Sequence, residues 1–373
     1  MLNKFLNYFS YYQWWKNLDK FILGLIITFF LIGLFFSLVS TSLVASDKLE
    51  TNSYFFFFKH LIFVSIGLLL IFIFSYIDQS TLYKSSIYIF CFAFLLLLLV
   101  PIIGTEVKGS KRWLDLFFLP RLQPIELVKP FFIIILSLII SYEKLSNFTL
   151  KFILSFLLTL LIVSLLVVQP DLGQTLLIGF SWSILILISG INLLILIIVL
   201  GAGVVLLLYV AFYIPKFEYI KNRLTSFFDT EKGTYNFQSD KAIESITSGG
   251  FFGKGIGEGT LKNKVPEAHT DYIISVISEE FGVIAIILIL ILFLIFIFSI
   301  FKKVNKETDN KIKLILVGSI SLILLQAMIH IGVNIRLFPT TGMTLPFLSY
   351  GGSSIISISI LSGIILNLTK RRV

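Results

Sequence analysis

The eight residues Val265 to Tyr272, VPEAHTDY, place Glu267, His269 and Asp271 directly ahead of a long apolar run, Ile273 to Ile300. Ionisable groups at the edge of lipid are costly and are usually kept for chemistry, transport or anchoring. Asp271 is the best candidate for a reactive group. At the first turn of a helix the dipole stabilises its carboxylate, while apolar surroundings raise its pKa. A partly desolvated carboxylate suits general-base work. A plainer reading stays open, in which Asp271 or Thr270 only caps the helix and satisfies free N–H groups. Glu267 and His269 beside it, and Glu279 with Glu280 two turns on, weaken the capping reading without removing it.

Cations of a matching kind lie upstream in GSKRWLDLFFLPRLQPIELVKP, Gly109 to Pro130. Guanidinium and ammonium groups are the usual partners of phosphate oxygens, which makes Lys111, Arg112, Arg121 and Lys129 candidates for an anionic ligand. Glu126 and Lys129 stand three apart and can pair on one helix face. An interfacial Arg and Trp belt explains Trp113, but not two charges inside an apolar helix. QPDLGQT, Gln169 to Thr175, interrupts two more apolar segments. Asp171 there is either an N-cap or part of a site, and the amides of Gln169 and Gln174 need partners at this depth.

Two further polar islands complete the set. In Tyr235 to Thr260, Ser239 to Ser248 reads as a short helix with Ala242, Ile243 and Ile246 on one face, ended by Gly249. The glycine-rich stretch Gly249 to Gly259 follows no strand and lacks the Lys-Ser/Thr ending of a nucleotide P-loop. It is either a tight loop or a set of backbone N–H groups facing an anion. PTTGMTLPFLSYGGSS, Pro339 to Ser354, cannot be a simple helical span. Non-helical backbone at membrane depth belongs inside protein or beside a watery cavity. The five islands together describe one polar cavity.

The elements that must hold this cavity are membrane helices. Of 373 residues, 57% are hydrophobic, 14% are charged and 39 are Phe. Each span needs roughly 20 apolar residues, and backbone in lipid must bond to itself. The expected fold is an all-α polytopic membrane protein with about ten spans, near 21–40, 55–76, 82–102, 125–141, 149–168, 174–189, 191–214, 272–300, 312–335 and 350–368. The whole chain, 1–373, reads as one membrane domain, with a large loop at 215–271 between spans seven and eight. Phe21 to Val39 is longer than a signal-peptide core and reads as a retained anchor.

Both termini are expected on the cytoplasmic side, because Lys4, Lys16 and Lys20, the lysines from Lys302 to Lys313, and Lys370 to Arg372 then all lie inside. The five islands fall on the other side. Lys108, Lys111, Arg112 and Arg121 oppose the rule there, which suggests an anionic ligand. The net charge of +9 is spread over membrane-flanking positions and is no nucleic-acid signal. Cys91 is the single cysteine, and His60, His269 and His330 are scattered, so neither a disulfide framework nor a structural zinc site is expected.

GSKRWLD, RLQPIELVK, QPDLG, SGGFFGKGIGEG, PEAHTDY, SEEFG and GMTLPFLSYGGSS occur in this order between the apolar runs. In this arrangement the chain resembles the SEDS family of bacterial membrane glycosyltransferases over essentially its whole length. PEAHTD, LFPTTGMTLPF and WWKNLDKF lean toward the cell-division branch, and RWLDL a little toward the elongation branch. The resemblance implies a peptidoglycan polymerase of the bacterial inner membrane, sited at the division septum. It would join lipid II units and release undecaprenyl diphosphate, with a class B penicillin-binding transpeptidase and other divisome membrane proteins as partners.

In that family's pattern Asp271 matches the catalytic carboxylate, and Arg121 and Lys129 match basic positions suited to the leaving diphosphate. Glu126, Lys111, Arg112, Asp171, Gln174, Glu267 and His269 complete the expected substrate site. A divalent cation, Mg or Mn, could share the diphosphate charge, yet no ligand set is visible. Ile125 stands where a small residue is common, and Gln174 where Thr often follows QPDLG; both bear on substrate positioning. A lipid II flippase, or a non-catalytic scaffold recruiting the transpeptidase, would use the same cavity. The clustering of polar islands on one face favours an enzyme over an alternating transporter.

Overall fold

The computed structural model describes residues 11–41, 54–107, 110–115, 120–143, 147–228, 237–261 and 265–371. Helices cover each long apolar run: α1 Lys20–Thr41, α2 Phe55–Tyr76, α3 Gln79–Ile103, α4 Pro124–Ile140, α5 Phe148–Val168, α6 Leu172–Ile188 and α7 Leu193–Tyr213. After the polar α8 (Glu218–Phe228) and α9 (Phe237–Gly249) come α10 Ile273–Val304, α11 Asn310–Asn334 and α12 Gly352–Leu368. Seven of these, α1, α2, α3, α5, α7, α10 and α11, are long and apolar enough to cross a membrane, and α6 and α12 are shorter apolar helices. One small departure from an all-helical chain is an antiparallel hairpin, β1 Thr105–Val107 with β2 Ser110–Trp113.

Starts and stops follow local chemistry. Asp78, Asn147, Asp171, Asn192 and Asp309 each cap the helix that follows by accepting a backbone N–H, and Pro124 occupies the first turn of α4. The span expected at 272–300 runs on to Val304, where Lys302 and Lys303 face the negative end of the dipole. The short helix expected from Ser239 begins two residues earlier. Its buried residues are the small ones, Ser239, Ala242, Ser245 and Gly249, rather than Ile243 and Ile246. That face lies on the backbone of α10, and a Cβ at Gly249 would overlap the Ser278 carbonyl.

Burial sorts the helices into two layers. α4, α6, α11 and α12 are covered along most of their length. α7 buries only Leu196 and Ala211 and offers the rest of its apolar surface outward. Such an inside-out distribution fits a bundle solvated by lipid. α2 and α12 approach closely where Gly67 meets Ser359 and Gly363 meets Phe74.

The two ends of the bundle are distinct. At one end Lys303 of α10 pairs with Asp19, before α1, at 2.6 Å, and the Arg371 N–H bonds to the Asn17 carbonyl at 2.9 Å. The hairpin, the Asp171 turn and segments 265–272 and 336–351 gather at the other end.

α10 is broken at Gly282, with φ 75° and ψ −179°. The break frees carbonyls at Glu279 and Glu280 and N–H groups at Val283 and Ile284. Loop 250–255 satisfies all four: Lys254 and Gly255 donate to Glu279 and Glu280 at 2.9 and 3.1 Å, and Val283 and Ile284 donate to Gly250 and Phe251 at 3.0 and 3.3 Å. The side chains join in, since Glu279 accepts from Lys254 Nζ at 3.0 Å and Leu261 N at 2.9 Å, and Glu280 from Gly257 N at 2.9 Å. The glycine-rich stretch is therefore a plug for a broken helix, and its N–H groups bind the protein's own glutamates. Gly282→Ala forces a side chain into the left-handed region and onto the Phe251 carbonyl, costing roughly 1–3 kcal/mol. Thermal unfolding in detergent should show this loss, while Gly24→Ala, in open space on α1, should show none.

Candidate active site

A cavity of about 900 Å³ opens at the end of the bundle that holds the polar islands. Its wall takes Lys59, Ile62, Phe63 and Ile66 from α2, Arg112 and Trp113 from the hairpin, and Gln123 and Glu126 from the start of α4. Glu267, Thr270, Asp271, Thr340–Thr344 and Gly351–Ser354 close it.

Asp271 is held by backbone geometry. Glu267, itself at φ 55°, turns the chain so that its carbonyl accepts the N–H groups of Thr270, Asp271 and Tyr272 at 3.1, 3.1 and 3.2 Å. The Asp271 carbonyl accepts from Asn334 Nδ2 at 3.0 Å. α10 starts only at Ile273; its N-cap is Tyr272, and no side chain caps it. Asp271 and Thr270 are not helix caps, which leaves the Asp271 carboxylate on the cavity wall. Both its Oδ2 and Arg112 Nη1 stand against Gly342, 3.4 and 3.7 Å from where a Cβ would sit.

Arg112 is oriented from behind. Its Nη1 lies 3.7 Å from Asp171 Oδ1 and its Nη2 donates to the Pro170 carbonyl. Asp171 caps α6 and accepts from Gln123 Nε2 at 3.1 Å; it stands behind Arg112 and does not line the cavity. Lys111, the exposed residue of β2, does not line the cavity. Arg121 is on the rim, paired with Asp115 at 3.0 Å and 59% exposed. An exposed pair of this kind is weak and easily exchanged for a phosphate.

Lys129 is placed otherwise. It is fully buried, 2.7 Å from Glu126 Oε2 and 3.1 Å from Gln326 Oε1, and it does not line the cavity. Gln174 Nε2 donates to Glu126 Oε1 at 2.8 Å. The pair at spacing three thus forms, but Lys129 neutralises Glu126 instead of facing a ligand. His269 also stays off the wall. Its ring packs on Phe56 at 4.6 Å and Tyr350 at 5.9 Å.

The family described as the cell cycle proteins, joining FtsW, RodA and SpoVE, matches residues 19–373 of the chain. The chain belongs to that family. A probable peptidoglycan glycosyltransferase FtsW of Caulobacter vibrioides is 31% identical over 96% of this chain and 91% of its own length. One from Coxiella burnetii is 35% identical over 88% and 90%. Among solved structures, a chain of a peptidoglycan synthase complex that coordinates polymerization and crosslinking superposes with a TM-score of 0.78, at 25% identity over 94% of this chain and 97% of that one. The rod shape determining protein RodA of Thermus thermophilus gives 0.69 at 25% identity, over 95% and 97%.

In this member of the FtsW, RodA and SpoVE family, other site residues escaped the sequence reading. Gln326, His330 and Asn334 stand four apart on α11, all buried. Gln326 reaches Lys129 and the Thr344 carbonyl, His330 Nδ1 donates to the Met343 carbonyl at 2.7 Å, and Asn334 holds Asp271. Their signal was a polar stripe at helical spacing in an apolar run. Lys59 and Arg223 add cations to the wall, Arg223 donating to the Thr340 carbonyl at 3.2 Å. Tyr219 offers no base, because burial pushes its phenol up to about 12.

Among the described residues no three His, Cys, Asp or Glu side chains group as a metal cage. Glu267 and Asp271 are the two wall carboxylates outside the Glu126–Lys129 pair. A divalent cation travelling with a diphosphate can be held by one or two carboxylates with phosphate oxygens and water.

Removing one partner of the buried pair leaves an uncompensated charge. Lys129→Met or Glu126→Gln should each lower stability by roughly 3–5 kcal/mol, whereas the double variant should recover much of that loss. Thermal unfolding of the three proteins measures it.

Proposed function

We propose that this protein is a peptidoglycan glycosyltransferase that polymerises lipid II, and that the cavity around Asp271 is its active site. The observation that carries this reading is the meeting of Asp271 and Arg112 over Gly342 in one cavity. Family membership and the names of the FtsW relatives support it.

The chemistry follows from the placement. Asp271 takes the proton from the 4-hydroxyl of the acceptor GlcNAc. That oxygen attacks the anomeric carbon of the donor MurNAc, the new C–O bond forms as the bond to the diphosphate breaks, and the electron pair leaves on undecaprenyl diphosphate. Arg112, fixed by Asp171 and Pro170, is preorganised toward the developing charge. Arg121 and Lys59 are exposed cations of the cavity lining that receive the diphosphate. Lys129 acts through Glu126 and Gln326, as a positioning residue. A Mg or Mn ion, held by Asp271 or Glu267 with the phosphates, would add Lewis-acid charge; no step above depends on it.

Ile62 and Ile66 border the cavity and are also exposed on the outer face of α2, at 57% and 42%. This apolar side suits sideways entry of the polyprenyl chain from the bilayer. The reading includes ten crossings, with α4, α6 and α12 completing the seven long helices. Both termini are cytoplasmic, loop 215–271 is extracytoplasmic, and residues 1–373 form one membrane domain. Basic residues at the end of the bundle opposite Asp271 support this orientation. Work at the division septum beside a class B penicillin-binding transpeptidase and other divisome proteins is proposed from the FtsW relatives and the crosslinking synthase complex.

Purified protein with its transpeptidase partner should make glycan strands from lipid II. Asp271→Ala should lower the rate by about 10²–10⁴-fold while folding normally; unchanged polymerisation by this variant would remove Asp271 from the mechanism. Arg112→Gln should cost roughly 10²-fold in rate, and Lys111→Gln should cost little. Lipid II translocation in proteoliposomes without polymer would replace the enzyme reading with a flippase.

A further inference from the structure

A second pocket, of about 700 Å³, lies at the opposite end of the bundle from Asp271. It is built from three separated parts of the chain: residues 13–17, the turn between α2 and α3, and the end of α12 with the residues that follow it. Two ties hold these parts together. Asn367 Nδ2 donates to the carbonyls of Phe74 and Ile77 at 2.8 and 2.5 Å, and the Arg371 N–H bonds to the Asn17 carbonyl at 2.9 Å.

The pocket is cationic. Lys16, Lys370 and Arg371 line it, against one carboxylate, Asp78. Asp78 is already engaged, since it caps α3 by accepting Thr81 N at 2.9 Å. No described acidic group stands within ion-pair distance of Lys16, Lys370 or Arg371. Burial lowers the Lys370 ammonium to about 8, against the pull of nearby Asp78, so an anion entering the pocket would favour its charged form.

The surroundings separate a lipid from a soluble anion. Trp14 packs on Phe72 at 5.1 Å and Tyr76 at 6.0 Å, and Tyr11, Tyr12 and Trp15 are exposed beside it. Aromatic rings of this kind sit at headgroup level. Below them α2 exposes Leu69, Phe72 and Ile73 as an apolar track toward the bundle centre. Basic pockets between membrane helices on one side of a bilayer bind anionic headgroups.

We propose that this pocket binds the phosphate of an anionic glycerophospholipid through Lys16, Lys370 and Arg371, with the acyl chains lying along α2. The bound lipid ties both chain ends to the α2–α3 turn. It is distinct from the substrate cavity and independent of the proposed reaction.

The test is native mass spectrometry of the full protein released from nanodiscs of phosphatidylcholine with or without phosphatidylglycerol. Wild type should retain phosphatidylglycerol in preference to phosphatidylcholine. Lys370→Gln with Arg371→Gln, and separately Lys16→Gln, should weaken retention by about five-fold per charge removed. The charge-preserving Lys370→Arg should keep it, and serves if the double variant fails to fold. Equal retention by wild type and the Gln variants, or no preference for the anionic lipid, would overturn the proposal. Displacement of phosphatidylglycerol by millimolar inorganic phosphate would overturn the lipid assignment in favour of a soluble phosphate.

Discussion

Backbone that leaves the helix at membrane depth must find its hydrogen-bond partners inside the protein, and this architecture depends on that requirement. The chain leaves helical geometry at the break in α10, through 265–272 and through 336–351. Each departure is met by a dedicated partner. Loop 250–255 fills the break at Gly282, and the α11 stripe of Gln326, His330 and Asn334 holds the other two. Asp271 owes its position to this arrangement, because the half-helix behind it ends at the break and its own carbonyl is tied to Asn334.

Charge is divided in the same spirit between a fixed layer and a free one. Lys129 is buried behind the wall and neutralises Glu126, which lines the cavity together with Gln174. Arg112 is held from behind by Asp171 and Pro170 with one edge facing the cavity. Arg121 stays exposed on the rim. A fixed guanidinium suits transition-state charge, which tolerates little reorganisation, whereas the rim cation suits capture of a substrate that arrives by diffusion.

Much of this was legible in the sequence, and what was hidden has physical causes. Apolar runs located the helices because lipid leaves few alternatives. The polar islands converge because Pro and Gly at their positions exclude regular spans. Lys129 and Lys111 are both candidate ligand partners in the sequence, since residue type does not disclose which way a side chain faces. Lys111 is exposed in β2 and off the cavity wall, and the i, i+3 partner absorbed Lys129. The glycine-rich stretch reads either as a tight loop or as an anion cradle; it is a loop folded on the break in α10, and its N–H groups meet Glu279 and Glu280. Gln326, His330 and Asn334 were overlooked because each is a neutral or weakly basic residue in a helix otherwise read as plain core.

The most direct test of the account is a structure with lipid II bound on the donor and acceptor sides. The account predicts the diphosphate against Arg112 and Arg121, and the acceptor 4-hydroxyl within about 2.6–3.2 Å of the Asp271 carboxylate. A diphosphate seated away from these arginines, or an acceptor hydroxyl out of reach of Asp271, would contradict it.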